Sequence, residues 1–378
     1  MGENNGLFIT FAFIVALIIS FAATPLVKRL AIKVGAIDVP KDNRRMHKDS
    51  IALWGGLAIF YGFLVSVLCF ADYSLLESNL RLIGILTGCV IIVTLGMVDD
   101  YKPRKAILKF FIQIAAALIP VLLGVRIYAV TNPITDQLVR LPEWFSIGVS
   151  VLWIVGVTNA VNLIDGLDGL AAGVSSIAAV ALLSILLIQH DTSFTLLVMA
   201  AALAGACFGF LPYNFNPAKI FMGDTGATFL GFVLACISIQ GPFKTYVAFT
   251  VPLLVLGLPI FDTLFAIIRR IIKRQPIMAP DRGHLHHRLI DMGFSHRTAV
   301  IILYGLSAML AISGIVMLFS DFSRALILIV SVVLFALFAF TLINRPDGAE
   351  DGQNHETKKN EAGDETPEKS DKKEKEDM

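Results

Sequence analysis

Residues 7–27 read "LFITFAFIVALIISFAATPLV", a stretch without one charged side chain. About 20 consecutive apolar residues are what a helix needs to cross the roughly 30 Å hydrocarbon core of a bilayer. A second such stretch, "ALILIVSVVLFALFAFTLI", occupies 325–343. The rest of the 378-residue chain follows suit, with 56% hydrophobic and 16% charged residues and a mean hydropathy of +0.74. Soluble domains carry about 25% charged residues, so the expected fold class is all-α and integral to a membrane. The first stretch lacks a small-residue cleavage site and reads as a retained span, not a signal peptide. The formal charge of +1 gives no sign of a nucleic-acid partner.

Apolar runs predict about eleven transmembrane helices, near 7–27, 53–71, 81–98, 108–125, 144–162, 169–189, 194–211, 225–240, 246–268, 298–319 and 324–343. Lys and Arg crowd the loops after spans one, three and nine, while the alternate loops hold few. The positive-inside rule then puts the N-terminus outside, the odd-to-even loops in the cytoplasm and the C-terminus cytoplasmic. Residues 1–344 are thus expected to form one polytopic membrane domain. From Arg345 the chain has no apolar run, and 345–378 reads as a disordered charged cytoplasmic tail. Cys69, Cys89, Cys207 and Cys236 sit inside apolar runs without paired spacing, as small packed hydrophobes.

With this topology the unusual polar residues gather on one face. Asp99 and Asp100 end the third span, where acids oppose a helix macrodipole. Adjacent carboxylates hold a divalent cation or push one pKa upward; the alternative is an interface-marking pair steadied by nearby lysines. In "NAVNLIDGLDGL", 159–170, the polar residues Asn159, Asn162, Asp165 and Asp168 recur every third position. Steps of three advance about 300° on a helix, so the four cannot share one face. Gly166 and Gly169 instead predict a bend that lets the side chains converge. An acid at the next helix start is an ordinary explanation for Asp168, but not for Asp165 or the two amides.

In "FMGDTG" Asp224 reads equally as a helix N-cap or as a hard oxygen ligand for Mg²⁺ holding a phosphate. "HLHH" supplies His284, His286 and His287, with Arg288 following. Without cysteine partners this is a poor zinc site and fits phosphate oxygens better; a solvated basic loop is the plain alternative. Asp262 lies inside span nine, where an acid is a functional candidate or a helix bridge. Walker and dinucleotide fingerprints are absent. Bare chemistry therefore points to Mg²⁺-assisted reaction of a phosphorylated substrate at one membrane face.

"GMVDD", "NAVNLIDGLDGL", "NFNPAKIFMGDTG", "PIFDTLFAIIRR" and "DRGHLHHRLIDMG", in this order, resemble the polyprenyl-phosphate N-acetylhexosamine-1-phosphate transferases. The H-x-H-H-R-L form is similar to their undecaprenyl-phosphate N-acetylglucosaminyl 1-phosphate transferase branch. The resemblance implies a multi-pass enzyme of the bacterial inner membrane, working at its cytoplasmic face. It would move N-acetylglucosamine 1-phosphate from UDP-N-acetylglucosamine to undecaprenyl phosphate and release UMP, priming an envelope polysaccharide or teichoic acid. By motif, Asp224 would be the main ligand of Mg²⁺ (or Mn²⁺), with Asp99. Asp99 and Asp100 would deprotonate or position the lipid phosphate. Asn162, Asp165 and Asp168 would line the nucleotide and metal pocket, supported by Asn159. His284, His286, His287 and Arg288 would meet the sugar diphosphate, and Lys109 the lipid phosphate. Relatives suggest a homodimer.

The first inside loop departs from the family's H-x-x-P-x-P-R-x-G-G pattern. His47, Gly55 and Gly56 remain, but Ser50, Ala52 and Leu53 stand where two Pro and an Arg are usual. Two other classes compete with the transferase reading. A secondary transporter should carry its acids near the midplane in two related halves. A prenyltransferase should show paired D-x-x-x-D motifs. A transferase of the same type using UDP-MurNAc-pentapeptide or another UDP-N-acetylhexosamine is the nearer alternative.

Overall fold

In a computed structural model of the chain, the residues described are 3–39, 50–131, 137–189, 192–240, 247–272, 274 and 283–319. The last predicted span, the charged tail and His47 lie outside them. The elements are α1 (Glu3–Val34), β1 (Ile37–Asp38), β2 (Ile51–Ala52), α2 (Gly55–Phe70), α3 (Leu76–Tyr101), α4 (Ala106–Leu122), β3 (Ala129–Thr131), β4 (Leu138–Arg140), α5 (Glu143–Ile164), α6 (Leu170–Ile188), α7 (Phe194–Asn214), α8 (Gly223–Ser238), α9 (Val247–Val255), α10 (Gly257–Ile272), α11 (Leu285–Asp291) and α12 (His296–Met317). Two antiparallel ribbons, β1–β2 and β3–β4, are the strands among the described residues.

Six of the helices are long and apolar enough to cross a membrane: α1, α3, α5, α6, α7 and α12. Three more, α2, α4 and α8, are apolar but shorter. The molecule is an all-α, multi-pass membrane protein. The predicted ninth span departs from a single rod, dividing after Val255 into α9 and α10. Gly257 weakens the helix at the break, and Pro259 brings no N–H to carry the ladder across it.

Burial in α1 is inverted relative to a soluble helix. Leu7, Phe11, Ile14 and Ile18 are 41–57% exposed, whereas Ala12, Ala16 and Ser20 are fully buried. Lipid is as apolar as leucine, so membrane helices associate through small residues that let backbones approach. A Cβ on Gly205 or Gly209 of α7 would strike the carbonyl oxygens of Phe13 or Leu17 in α1.

The same device seats α8 in the centre of the bundle. Every residue of α8 after Asp224 is buried. A Cβ on Gly56 of α2 would overlap Gly226, one on Gly96 of α3 would overlap Thr225, and one on Gly231 would meet Thr158 Cα of α5 at 2.7 Å. Asp224 is therefore carried on a helix whose position is fixed by backbone contact from three sides.

Candidate active site

The N-terminus of α8 is capped from another helix. Asp100 Oδ1 accepts the N–H of Asp224 at 2.8 Å, and Oδ2 accepts the N–H and hydroxyl of Thr225 at 3.2 and 2.6 Å. These are N–H groups that a helix start leaves without partners. Gly223 adopts φ 69°, and a side chain there would run into the Asp100 carboxylate. Since Asp100 caps the helix, Asp224 does not. Its own side chain points elsewhere: Oδ1 accepts from Asn162 Nδ2 at 3.0 Å, and Oδ2 pairs with the Lys109 ammonium. The N-cap reading of "FMGDTG" therefore does not hold.

Lys109 bridges two acids, bonding Asp99 Oδ2 at 2.8 Å as well as Asp224. Asp99 Oδ1 accepts the Arg104 N–H at 2.8 Å, so both its oxygens are engaged. The adjacent pair thus divides its work, Asp99 holding Lys109 and Asp100 holding α8. Asn159 stands one turn back in α5, where its amide donates to Gln113 Oε1 at 2.7 Å and to the Val155 carbonyl at 2.8 Å. The pair ties α4, which carries Lys109, to α5, which carries Asn162.

After Ile164 the chain bends as the glycines predict, with Gly169 at φ 81°. Asp168 Oδ2 accepts from Asn216 Nδ2 at 2.9 Å and from the Ala218 N–H at 3.0 Å. Asp165 faces a cavity of about 830 Å³, whose walls also include Asp100, Asn162, Asp168, Asp224, His287, His296, Lys28 and Lys219. Burial, then the negative charges of Asp224, Asp100 and Asp168, push the Asp165 carboxyl up to about 8. Four carboxyl groups on the walls of one cavity mark a place where positive charge is wanted. Among the described residues, no three His, Cys, Asp or Glu side chains form a ready-made metal cage.

The histidines split between scaffold and cavity. Asp262 of α10 accepts the Leu285 N–H at 2.8 Å and bonds His284 Nδ1 at 2.8 Å, while Arg269 Nη1 donates to the Gly283 carbonyl at 2.7 Å. His284 and His286 are buried and stack at 5.8 Å. His286 rests on Gly166, which has no room for a side chain. Burial, and then the neighbouring His287, lower the His286 imidazole to about 3, so it is neutral. His287 lines the cavity, and Arg288 is half-buried in α11.

A sequence model of glycosyl transferase family 4 matches residues 82–242. A Bacillus subtilis protein named probable undecaprenyl-phosphate N-acetylglucosaminyl 1-phosphate transferase is 43% identical over 332 residues, covering 86% of this chain and 90% of that one. The chain belongs to glycosyl transferase family 4. The resemblance read from the motifs holds in family and in branch. A Mycolicibacterium smegmatis decaprenyl-phosphate N-acetylglucosaminephosphotransferase is 34% identical, with 89% of each chain covered. An Escherichia coli K12 undecaprenyl-phosphate alpha-N-acetylglucosaminyl 1-phosphate transferase is 26% identical, covering 83% of this chain and 86% of that one.

Within family 4, the departure in the first loop leaves a structural job intact. The Phe221 N–H donates to the Ala52 carbonyl at 2.9 Å, and the N–H groups of Gly55 and Gly56 donate to Phe221 and Met222 at 2.9 and 3.0 Å. This pairing uses backbone alone, so Ala52, Gly55 and Gly56 stitch the loop to the segment that introduces Asp224, while the Leu53 N–H donates to the Ala36 carbonyl at 2.9 Å. Sequence reasoning passed over Gln113, Lys28, Lys219 and His296. Gln113, 2% exposed inside an apolar helix, carried a signal: one amide amid "FFIQIAA" needs a partner.

Proposed function

We propose that this family 4 transferase moves N-acetylglucosamine 1-phosphate from UDP-N-acetylglucosamine to undecaprenyl phosphate, releasing UMP, at the cytoplasmic face of the bacterial inner membrane. The observation that carries the reading is the cavity where Asp165 and Asp224 meet, with Lys109 pinned beside Asp224. The names of the relatives support undecaprenyl phosphate as acceptor and N-acetylglucosamine 1-phosphate as the group moved; UDP as its carrier is part of the proposal. The spread of acids also favours magnesium over a closed protein cage. Mg²⁺ is commonly held by one or two carboxylates, several waters and substrate phosphates. Asp224 and Asp165 would hold it from the cavity wall; Asp99, set behind Lys109, acts through that lysine. Bound there, the ion would supply positive charge to the diphosphate and the departing UMP.

The chain's own side chains position two anions that otherwise repel. Lys109, held by Asp99 and Asp224, offers its ammonium to the lipid phosphate. Asn162 fixes the Asp224 carboxylate, and Asp100 fixes the helix beneath it. His287, Lys28 and Lys219, which line the same cavity, would meet the diphosphate. A lipid phosphate oxygen attacks the β-phosphorus in line and forms the new P–O bond. The bond from that phosphorus to the bridging oxygen breaks, and UMP leaves with the electron pair. The lipid product would prime an envelope polymer.

The test is UMP release by the purified full-length protein with undecaprenyl phosphate and UDP-N-acetylglucosamine, in Mg²⁺ or in EDTA. Lipid-dependent, EDTA-sensitive UMP is expected. Release only with UDP-MurNAc-pentapeptide would overturn the donor assignment, and silence with every UDP-sugar would overturn the reaction.

A further inference from the structure

We infer that His296 is a positioning residue of the donor half of the site, an inference that rests on the transfer reading above. His296 opens α12 and takes no part in the triplet that the motif singles out. Its Nε2 accepts the backbone N–H of Asp168 at 2.8 Å, so that nitrogen carries no proton and the ring is neutral. The next residue, Arg297, donates from Nε to the Asn216 carbonyl at 3.1 Å. Further along α12, the Tyr304 hydroxyl donates to the Gly169 carbonyl at 2.5 Å. One helix thereby grips both turns that wall the cavity, 165–169 and 214–219. The Asp168 side chain joins those turns through Asn216 and Ala218.

The arrangement is specific to the donor side. The Asp168 N–H is fixed by the imidazole while its carboxylate holds the other turn, so loss of the ring acceptor loosens a residue that joins both. Lys109 and Asp99, where the lipid phosphate is placed, bond to neither turn. A lost acceptor opposite a half-buried N–H costs about tenfold in the property it supports.

The experiment compares the full-length chain with His296→Leu, which removes the acceptor, and His296→Gln, whose amide oxygen replaces Nε2. Two readouts are taken: the KM values for UDP-N-acetylglucosamine and for undecaprenyl phosphate, and amide exchange in 165–169 and 214–219 without substrates. His296→Leu is expected to raise the donor KM about tenfold, to leave the lipid KM within about twofold, and to speed exchange in both turns. His296→Gln should return each to near the unaltered value. An unchanged donor KM and unchanged exchange in His296→Leu would overturn the inference, as would a Gln variant that behaves like Leu. Absence of UMP from the unaltered chain would overturn the transfer reading, and the exchange arm then decides the clamp by itself.

Discussion

The acidic and histidine halves of the site are built in opposite ways. The acids come from the end of α3, the turn after α5 and the start of α8, a helix locked by backbone contact, and Asp100, Asp165, Asp168 and Asp224 line the cavity. The histidines sit on, and one residue before, a seven-residue helix, α11, held by side chains of α10. Two of the three rings face the scaffold, and His287 alone of the triplet lines the cavity. Clusters that look alike in sequence thus have different fates: one lines the cavity, the other is mostly spent on shape.

The largest test of that contrast is Asp224→Ala. Removing a carboxylate that faces the cavity from a packed helix should lower turnover by about 10³-fold while thermal unfolding stays within a few degrees. Near-normal turnover at saturating Mg²⁺ would remove Asp224 from the machinery. Next comes Asp262→Ala, which strips the acceptor from His284 and from the Leu285 N–H at once. Loss of about 3 kcal/mol should appear as roughly 100-fold in kcat/KM, with partial recovery in Asp262→Asn. An activity loss under threefold would show that α11 does not depend on α10.

Smaller effects separate the histidines. His287→Ala should cut turnover about tenfold without loss of stability, whereas His286→Ala should cost about 2 kcal/mol of stability by opening a buried site. The reverse order would invert the division between cavity and scaffold. Smaller again is a pH effect at Asp165. Its folded value of about 8 lies above the usual 3.9 or so for an unfolded aspartate, so the folded state binds the extra proton. Its stabilisation is complete below about pH 4 and is lost as pH rises toward 8. A cation there competes with that proton, so Mg²⁺ should raise the Tm by more at pH 8 than at pH 5. An equal shift at both would place the ion away from Asp165. The smallest effect belongs to truncation after Asn344, which should leave UMP release within about twofold; a large loss would make the tail part of the enzyme.

Much of the fold was legible because apolar length is a physical requirement of the bilayer. Ten of the predicted spans coincide with helical segments. The break at Gly257 was not read, since hydropathy sums side chains and is blind to the backbone defects that Gly and Pro create inside an apolar run. The acids were legible for the converse reason: a carboxylate at the end of a membrane helix is costly enough to need explaining. Their division of labour was not. Nothing in "VDD" says that the second acid caps α8 while the first holds Lys109. Asn159 was read as a support of the pocket residues; what the structure adds is its bond to Gln113 of α4. His296 stayed hidden because a histidine at a helix start is unremarkable until its partner, more than a hundred residues earlier, is in place.

The seat of α8 has a consequence for how this enzyme can vary. Gly56 and Gly96 fit because atoms are missing, and the next smallest side chain is already a collision with Gly226 or Thr225. A site tuned by bulk can be adjusted a methylene at a time. One tuned by absence offers no intermediate steps, so adaptation to a new donor has to come from the surrounding loops and turns, leaving the axle that carries Asp224 untouched.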